Sequence, residues 1–276
     1  MRVLWVLLTV GLGSLAGAAP SAGCGKDAPE GFSSLAVNGG PRDFILVLPD
    51  GYDSDTPHAL VFAFHGRTSP ADEVRGYYDL EESAADTLGP TIFVYPVALT
   101  QADGAFGWWE PGDAPDALRD FALFDALLAE LSGRYCVDSG RVYAVGHSLG
   151  GSFVNALGCH RTSALRGVVS LGAGPSGGEC TGAVAAMVLH HPEDELVAFE
   201  LGVAARDQYL AQNGLSGPPT PTEPRSLKCA RYGAPDVPNP VVWCPHEQSY
   251  SYGRRYTHNW PEGTGEAALK FFAALP

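Results

Sequence analysis

The stretch RVYAVGHSLGG, residues 141–151, constrains this chain more than any other part of it. Its first half is an apolar, β-branched run of strand character, and a helical pattern begins at Gly151. Gly146 and Gly150 bracket Ser148 between the two. A strand that turns sharply into a helix holds the residue at the turn in a strained backbone conformation, which only small neighbours tolerate. The turn lifts the Ser148 hydroxyl above a sheet and aims the Leu149 N–H, at a helix N-terminus, towards an oxyanion forming nearby. A bare Gly-x-Ser-x-Gly is often no more than a serine in a glycine-rich turn. The strand before it and the helix after it make Ser148 a candidate nucleophile.

The rest of the chain repeats the alternation. Strand-like runs occupy residues 43–49 (DFILVLP), 59–65 (ALVFAFH), 91–97 (TIFVYPV), 141–146, 167–171 (GVVSL) and 185–190 (AAMVLH). The last four are nearly continuous apolar runs, as expected of strands covered on both faces. Residues 120–131, 204–212 and 266–275 carry helical spacing. Strands alternating with helices predict an α/β fold: a mostly parallel central sheet with helices on both faces. Residues 216–240 are rich in Pro and Gly without periodicity and predict either an ordered, disulfide-stapled excursion or a flexible loop. With 276 residues, 45% of them hydrophobic, the chain can bury one sizeable core, so one domain over 19–276 is expected.

The formal net charge of -14 argues against binding nucleic acid or an anionic membrane through a basic surface. Met1-Arg2, the apolar run 3–15 and the small residues Ala16-Gly17-Ala18 read as a cleaved signal peptide over 1–18, which predicts a secreted protein. Cys24 follows Ser21-Ala22-Gly23 and raises the minor alternative of a lipid anchor, although a lipidated cysteine normally has an apolar residue three places before it. Six cysteines in an exported chain point to disulfides rather than metal ligands. Cys229–Cys244 closes a short Pro/Gly-rich loop and is the favoured pair; the other pairings stay open.

A serine hydroxyl needs a base, and the base needs orienting. In α/β-hydrolases, where this turn recurs, the order is serine, acid, histidine. His246 and His258 lie well downstream. His258, in Tyr256-Thr257-His258-Asn259-Trp260-Pro261 just before the final helix, is favoured over His246, which sits in the expected disulfide loop. The acid should follow the strand at 185–190, where Glu193, Asp194 and Glu195 all stand. A second oxyanion donor is expected from the N–H of Arg67 or Thr68 in the Phe64-His65-Gly66 loop, with His65 structural. His190-His191 beside carboxylates lacks a spaced partner for a metal, and no metal or organic cofactor is expected.

These pieces resemble, in order, the secreted esterase family of feruloyl esterases and polyhydroxybutyrate depolymerases. The resemblance rests on Ser21-Ala22-Gly23-Cys24-Gly25-Lys26, the Phe64-His65-Gly66 loop, Gly107-Trp108-Trp109, Asp120 with Phe124, Tyr135-Cys136-Val137-Asp138 and the Ser148 turn. His190 to Val197 resembles the family's H-G-x-x-D-x-x-V-P, which puts Asp194 on its aspartate, and His258-Asn259-Trp260-Pro261 resembles its H-x-W-P. The chain departs from the pattern at His191, where the family has glycine, and at Ala198, where it has proline. Glu193 and Glu195 should add negative charge at the mouth of the site.

The resemblance implies an α/β-hydrolase fold and a Ser148–His258–Asp194 triad forming an acyl-enzyme. Trp108, Trp109, Tyr256 and Trp260 are candidates for an aromatic substrate cleft. Such a cleft suits feruloyl esters of plant cell-wall polysaccharide, with 3-hydroxyalkanoate polyesters as the alternative and a serine peptidase or a non-catalytic polysaccharide-binding protein further off. The substrate is a small or polymeric ester, and a monomer is expected.

Overall fold

The chain alternates strands, fully buried in the middle of the sheet, with helices packed on its two faces. The computed structural model describes residues 19–38, 40–113, 119–251 and 253–276; the leader expected over 1–18 lies outside them. The first strands are β1 (Ser34–Val37), β2 (Gly40–Val47) and β3 (His58–Phe64), the last buried at every position. Helices α1 (Ala71–Tyr78) and α2 (Leu80–Ala84) lead to β4 (Thr91–Pro96). The short strands β5 (Leu99–Thr100) and β6 (Phe106–Gly107) pair with each other. Then come α3 (Arg119–Arg134), β7 (Val137–His147), α4 (Leu149–His160), β8 (Gly167–Leu171), β9 (Ala185–Leu189) and α5 (Phe199–Gln212). The last third adds β10 (Thr220–Pro221), β11 (Ala230–Tyr232), β12 (Val241–Cys244), the hairpin β13 (Tyr250–Ser251) and β14 (Arg254–Arg255), and α6 (Thr264–Ala273).

Among the described residues, ten strands form one sheet in the order β1-β2-β4-β3-β7-β8-β9-β12-β11-β10. From β4 to β12 every neighbouring pair is parallel. β1 and β2 at one edge, and β11 and β10 at the other, run antiparallel to their neighbours. This is the mostly parallel, doubly covered sheet that the alternation predicts. One apolar layer packs α3, α4 and α5 on one face through Phe62, Phe124, Phe153 and Tyr209. The other packs α1, α2 and α6 on the opposite face through Tyr78, Tyr143, Leu269 and Phe272.

The structure adds to the sequence reading at three places. Residues 216–240 follow the ordered, disulfide-stapled reading, with Cys229 bonded to Cys244, and β10 and β11 within them also extend the sheet. β12, unread in the sequence, is its last parallel strand. Cys24 is bonded to Cys136, so its sulfur carries no lipid. The favoured Cys229–Cys244 pair is formed, and Cys159 pairs with Cys180.

From β3 the chain goes to β4 on one side, and it later returns to β7 on the other. The loops leaving the carboxyl ends of these neighbouring strands diverge and open a crevice there, the place where open α/β sheets bind ligands.

Candidate active site

Ser148 stands at the end of β7 with φ 57° and ψ −126°, a strained conformation for a side-chain-bearing residue. Its N–H donates to the Leu171 carbonyl at 2.9 Å. The flanking glycines are there for space. A Cβ on Gly146 would lie 2.5 Å from the Gly150 carbonyl oxygen, and one on Gly150 would lie 2.3 Å from that of Phe64. Leu149 is the first residue of α4, so its N–H has no partner within the helix and sits at the positive end of the helix dipole.

The loop after β3 faces the serine directly, since a Cβ on Gly66 would lie 3.4 Å from Ser148 Cβ. His65 holds this loop. Its Nε2 accepts the Ala98 N–H at 3.0 Å, so Nδ1 carries the proton and donates to the Gly66 carbonyl at 2.7 Å. Burial pushes the His65 pKa down, which keeps that tautomer neutral. The Arg67 carbonyl accepts the Phe106 N–H, and the Arg67 guanidinium pairs with Asp103.

Asp194 follows β9 and His258 precedes α6. Asp194 Oδ2 accepts from His258 Nδ1 at 2.7 Å, and its Oδ1 accepts the N–H groups of Leu196 and Val197, each at 2.9 Å. Burial works to raise the Asp194 pKa, but the bond from His258 and those two backbone donors outweigh it and hold the carboxyl below its usual range. With Nδ1 donating, His258 Nε2 is the free acceptor; it is buried and without a hydrogen-bond partner. No hydrogen bond joins it to Ser148 Oγ in this structure, although both residues line the same cleft. Gly172, at φ 59°, passes beneath the pair: a Cβ there would lie 3.0 Å from His258 Cε1 and 3.4 Å from Asp194 Oδ2.

The cleft has a volume of about 560 Å³. Ser148, Leu149, Arg67, Thr68, His258, Tyr256 and Trp260 all line it. Trp260 stacks on Tyr78 at 4.0 Å, and the Tyr78 hydroxyl donates to the Phe64 carbonyl. His147 lies 4.7 Å from His258, ring centre to ring centre, and burial drives its pKa far down, so no cation competes there. Burial, then Asp113, raises the carboxyl of Glu110, a further lining residue.

Several of the residues expected at the site fall elsewhere. Trp108 is 1% exposed, packs on Phe64 and Phe153, and donates its indole N–H to the His65 carbonyl. It supports the loop after β3 from below and lies outside the cleft lining. Trp109 packs edge-on against Phe121 and lies outside the cleft lining. His246 is fully buried against His191, with its pKa pushed down by burial to about 3, and it too is outside the lining. Arg255 pairs with both Glu193 and Glu195, so the two carboxylates leave one net negative charge there rather than two. Tyr77 and Ser152 line the cleft without having stood out in the sequence, and Leu196, Val197 and Asn259, quoted there only as parts of motifs, line it too. Tyr77 lies on α1, whose polar composition hid its helical spacing. Among the described residues no cluster of His, Cys, Asp and Glu is arranged to hold a metal ion.

No protein-family model matches the chain. It is 32% identical to the probable feruloyl esterase C of Aspergillus terreus, over 76% of this chain and 76% of that protein. To feruloyl esterase C of Emericella nidulans it is 31% identical, over 77% of this chain and 76% of the relative. Among solved structures, the acetyl xylan esterase of Aspergillus awamori superposes with a TM-score of 0.63 at 11% identity, covering 84% of this chain and 94% of that one. At that identity the likeness speaks to the fold alone, which is that of the α/β-hydrolases.

Proposed function

The chain belongs to the feruloyl esterase family and is a carboxylic ester hydrolase; we propose that it works through an acyl-enzyme on Ser148 and acts on feruloyl esters of plant cell-wall polysaccharide. The observation that carries the mechanism is the 2.7 Å bond from His258 Nδ1 to Asp194 Oδ2 in the cleft that holds the strained Ser148.

Ser148 Oγ attacks the ester carbonyl while His258 Nε2 takes its proton, and Asp194 holds the ring in the tautomer that leaves Nε2 free. The oxyanion receives the Leu149 N–H and the N–H of Arg67 or Thr68. As the carbonyl re-forms, the C–O bond to the alcohol breaks and His258 returns the proton to the leaving oxygen. Water then attacks the acyl-enzyme by the same route, with His258 as base, and frees the acid and Ser148. No step calls for a cofactor.

Tyr77, Tyr256 and Trp260 give the cleft an aromatic wall, which suits a flat aromatic acyl group. Leu196 at the rim, 68% exposed, is the feature that favours the second reading, a 3-hydroxyalkanoate polyester. We further propose that the protein acts as one secreted, monomeric domain over 19–276 once the leader is removed. Three disulfides support an oxidising compartment. The discriminating experiment compares kcat/KM on methyl ferulate and on a 3-hydroxybutyrate oligomer. Preference for methyl ferulate is expected, and preference for the oligomer reverses the order of the two substrates.

A further inference from the structure

His191 makes two hydrogen bonds that no step of the proposed chemistry uses. Its Nδ1 accepts the Glu193 N–H at 2.9 Å. A backbone N–H can only donate, so Nδ1 is the unprotonated nitrogen and Nε2 carries the hydrogen. Nε2 therefore donates to Ser249 Oγ at 2.7 Å. Ser249 Oγ donates onward to the Glu247 carbonyl at 3.2 Å, and the Ser249 carbonyl accepts the Tyr256 N–H at 2.7 Å. The line of bonds runs from the loop carrying Asp194 to the segment that ends, two residues later, at His258. His191 itself is 3% exposed, and its bonds to Ser249 and to the Glu193 N–H are half-buried, so water competes with them less than at the open surface.

We infer that His191 is a positioning residue, which through Ser249 sets the approach of the Asp194 loop to the His258 segment and so the geometry of the pair. The inference rests on Asp194 and His258 being the acid and the base. A second link joins the same two segments from the solvent side, where Arg255 pairs with Glu193 and Glu195. Those side chains are more than half exposed, and exposed ion pairs hold geometry weakly. The His191–Ser249 bond is half-buried, better shielded than those ion pairs, and is the one able to fix the approach. The titratable groups around it are His246, edge-on at 5.4 Å, His190 beside it in the chain, Asp194 in the same loop and Glu247 across Ser249.

The test uses the full chain with His191→Asn, Ser249→Ala, the double variant, His191→Gln and, as reference, Asp194→Asn. Asn keeps an acceptor for the Glu193 N–H but falls short of Ser249, whereas the Gln amide reaches towards it. Hydrolysis of p-nitrophenyl acetate reads kcat and KM. Ser249→Ala and His191→Asn are each expected to lower kcat about tenfold, with KM changed less than about twofold, because misplacement of catalytic groups acts on the chemical step. The double variant should lose no more than either single one, and His191→Gln should recover most of the loss. Should His191→Asn fold poorly, Ser249→Ala alone carries the test. Unchanged kcat in Ser249→Ala, or losses that simply add in the double variant, would overturn the inference while leaving the triad in place. Full turnover in Asp194→Asn would instead remove the triad assignment, and this inference with it.

Discussion

Asp194 and His258 stand 64 residues apart in the chain, yet their side chains meet at 2.7 Å with neither more than 3% exposed. The carboxylate also accepts two backbone N–H groups from its own loop, and His190 Nε2 donates to the Val197 carbonyl, tying that loop end to end. Asp194→Asn keeps the shape but favours the wrong tautomer of His258, and kcat should fall about 10⁴-fold. Glu193→Gln and Glu195→Gln each remove one exposed ion pair, worth at most about 1 kcal/mol of stability, and should leave kcat within a few-fold. Steady-state kinetics on the three variants checks this ordering.

Trp108 and Tyr256 should respond in opposite ways. Trp108→Phe strands the buried His65 carbonyl and should cost about 1–3 kcal/mol in urea unfolding, with KM little changed. Tyr256→Ala removes part of the cleft wall and should raise KM for methyl ferulate more than for methyl butyrate.

The buried pair of Arg42 and Asp120 ties β2 to the start of α3, with Nη2 and Oδ1 2.8 Å apart. Burial raises the Asp120 carboxyl, and Arg42 opposes this. Asp120→Ala would leave the guanidinium buried and unpaired, at a cost of about 3–5 kcal/mol. Arg42→Met combined with Asp120→Leu should recover much of that loss, as read by chemical denaturation.

Stability should fall in acid. Burial lowers the pKa values of His147, His190 and His246 in the folded protein below the ordinary 6.5. Below pH 6.5 the unfolded chain therefore binds more protons than the folded one, so this stability is complete above pH 6.5 and is lost as pH falls. For His246 the loss continues to about pH 3. The lowered Asp194 adds a loss in the same direction below its ordinary 3.8. Unfolding free energies measured between pH 7 and 4 should decline, and His246→Phe should remove about 1.4 kcal/mol per pH unit from the slope.

Much of this was legible in the sequence. The six strands read from apolar runs all exist; five of them are largely buried on both faces and leave continuous hydrophobic stretches, while β2 is only half-buried. β7 begins earlier than read, at Val137, since Ser139-Gly140 looks like a turn although Val137 pairs with His58. β12 escaped because four residues, VVWC, follow a Pro-rich segment too closely to stand out. The Ser148 turn was legible because its glycines answer a local steric demand. Asp194 needed the family pattern, since three adjacent carboxylates look alike until a fold chooses which one turns inward. The side on which Trp108 lies was not legible, because an aromatic residue reads the same in a core and in a cleft.

Ser148 is the centre of the proposed chemistry, and the most direct measurement is the mass of the intact protein after reaction with diethyl p-nitrophenyl phosphate. A single diethylphosphoryl adduct on Ser148 is predicted, accompanied by loss of p-nitrophenyl acetate hydrolysis and absent from Ser148→Ala. An active protein that takes no adduct at Ser148, or a Ser148→Ala variant that keeps substantial turnover, would contradict its role as the nucleophile.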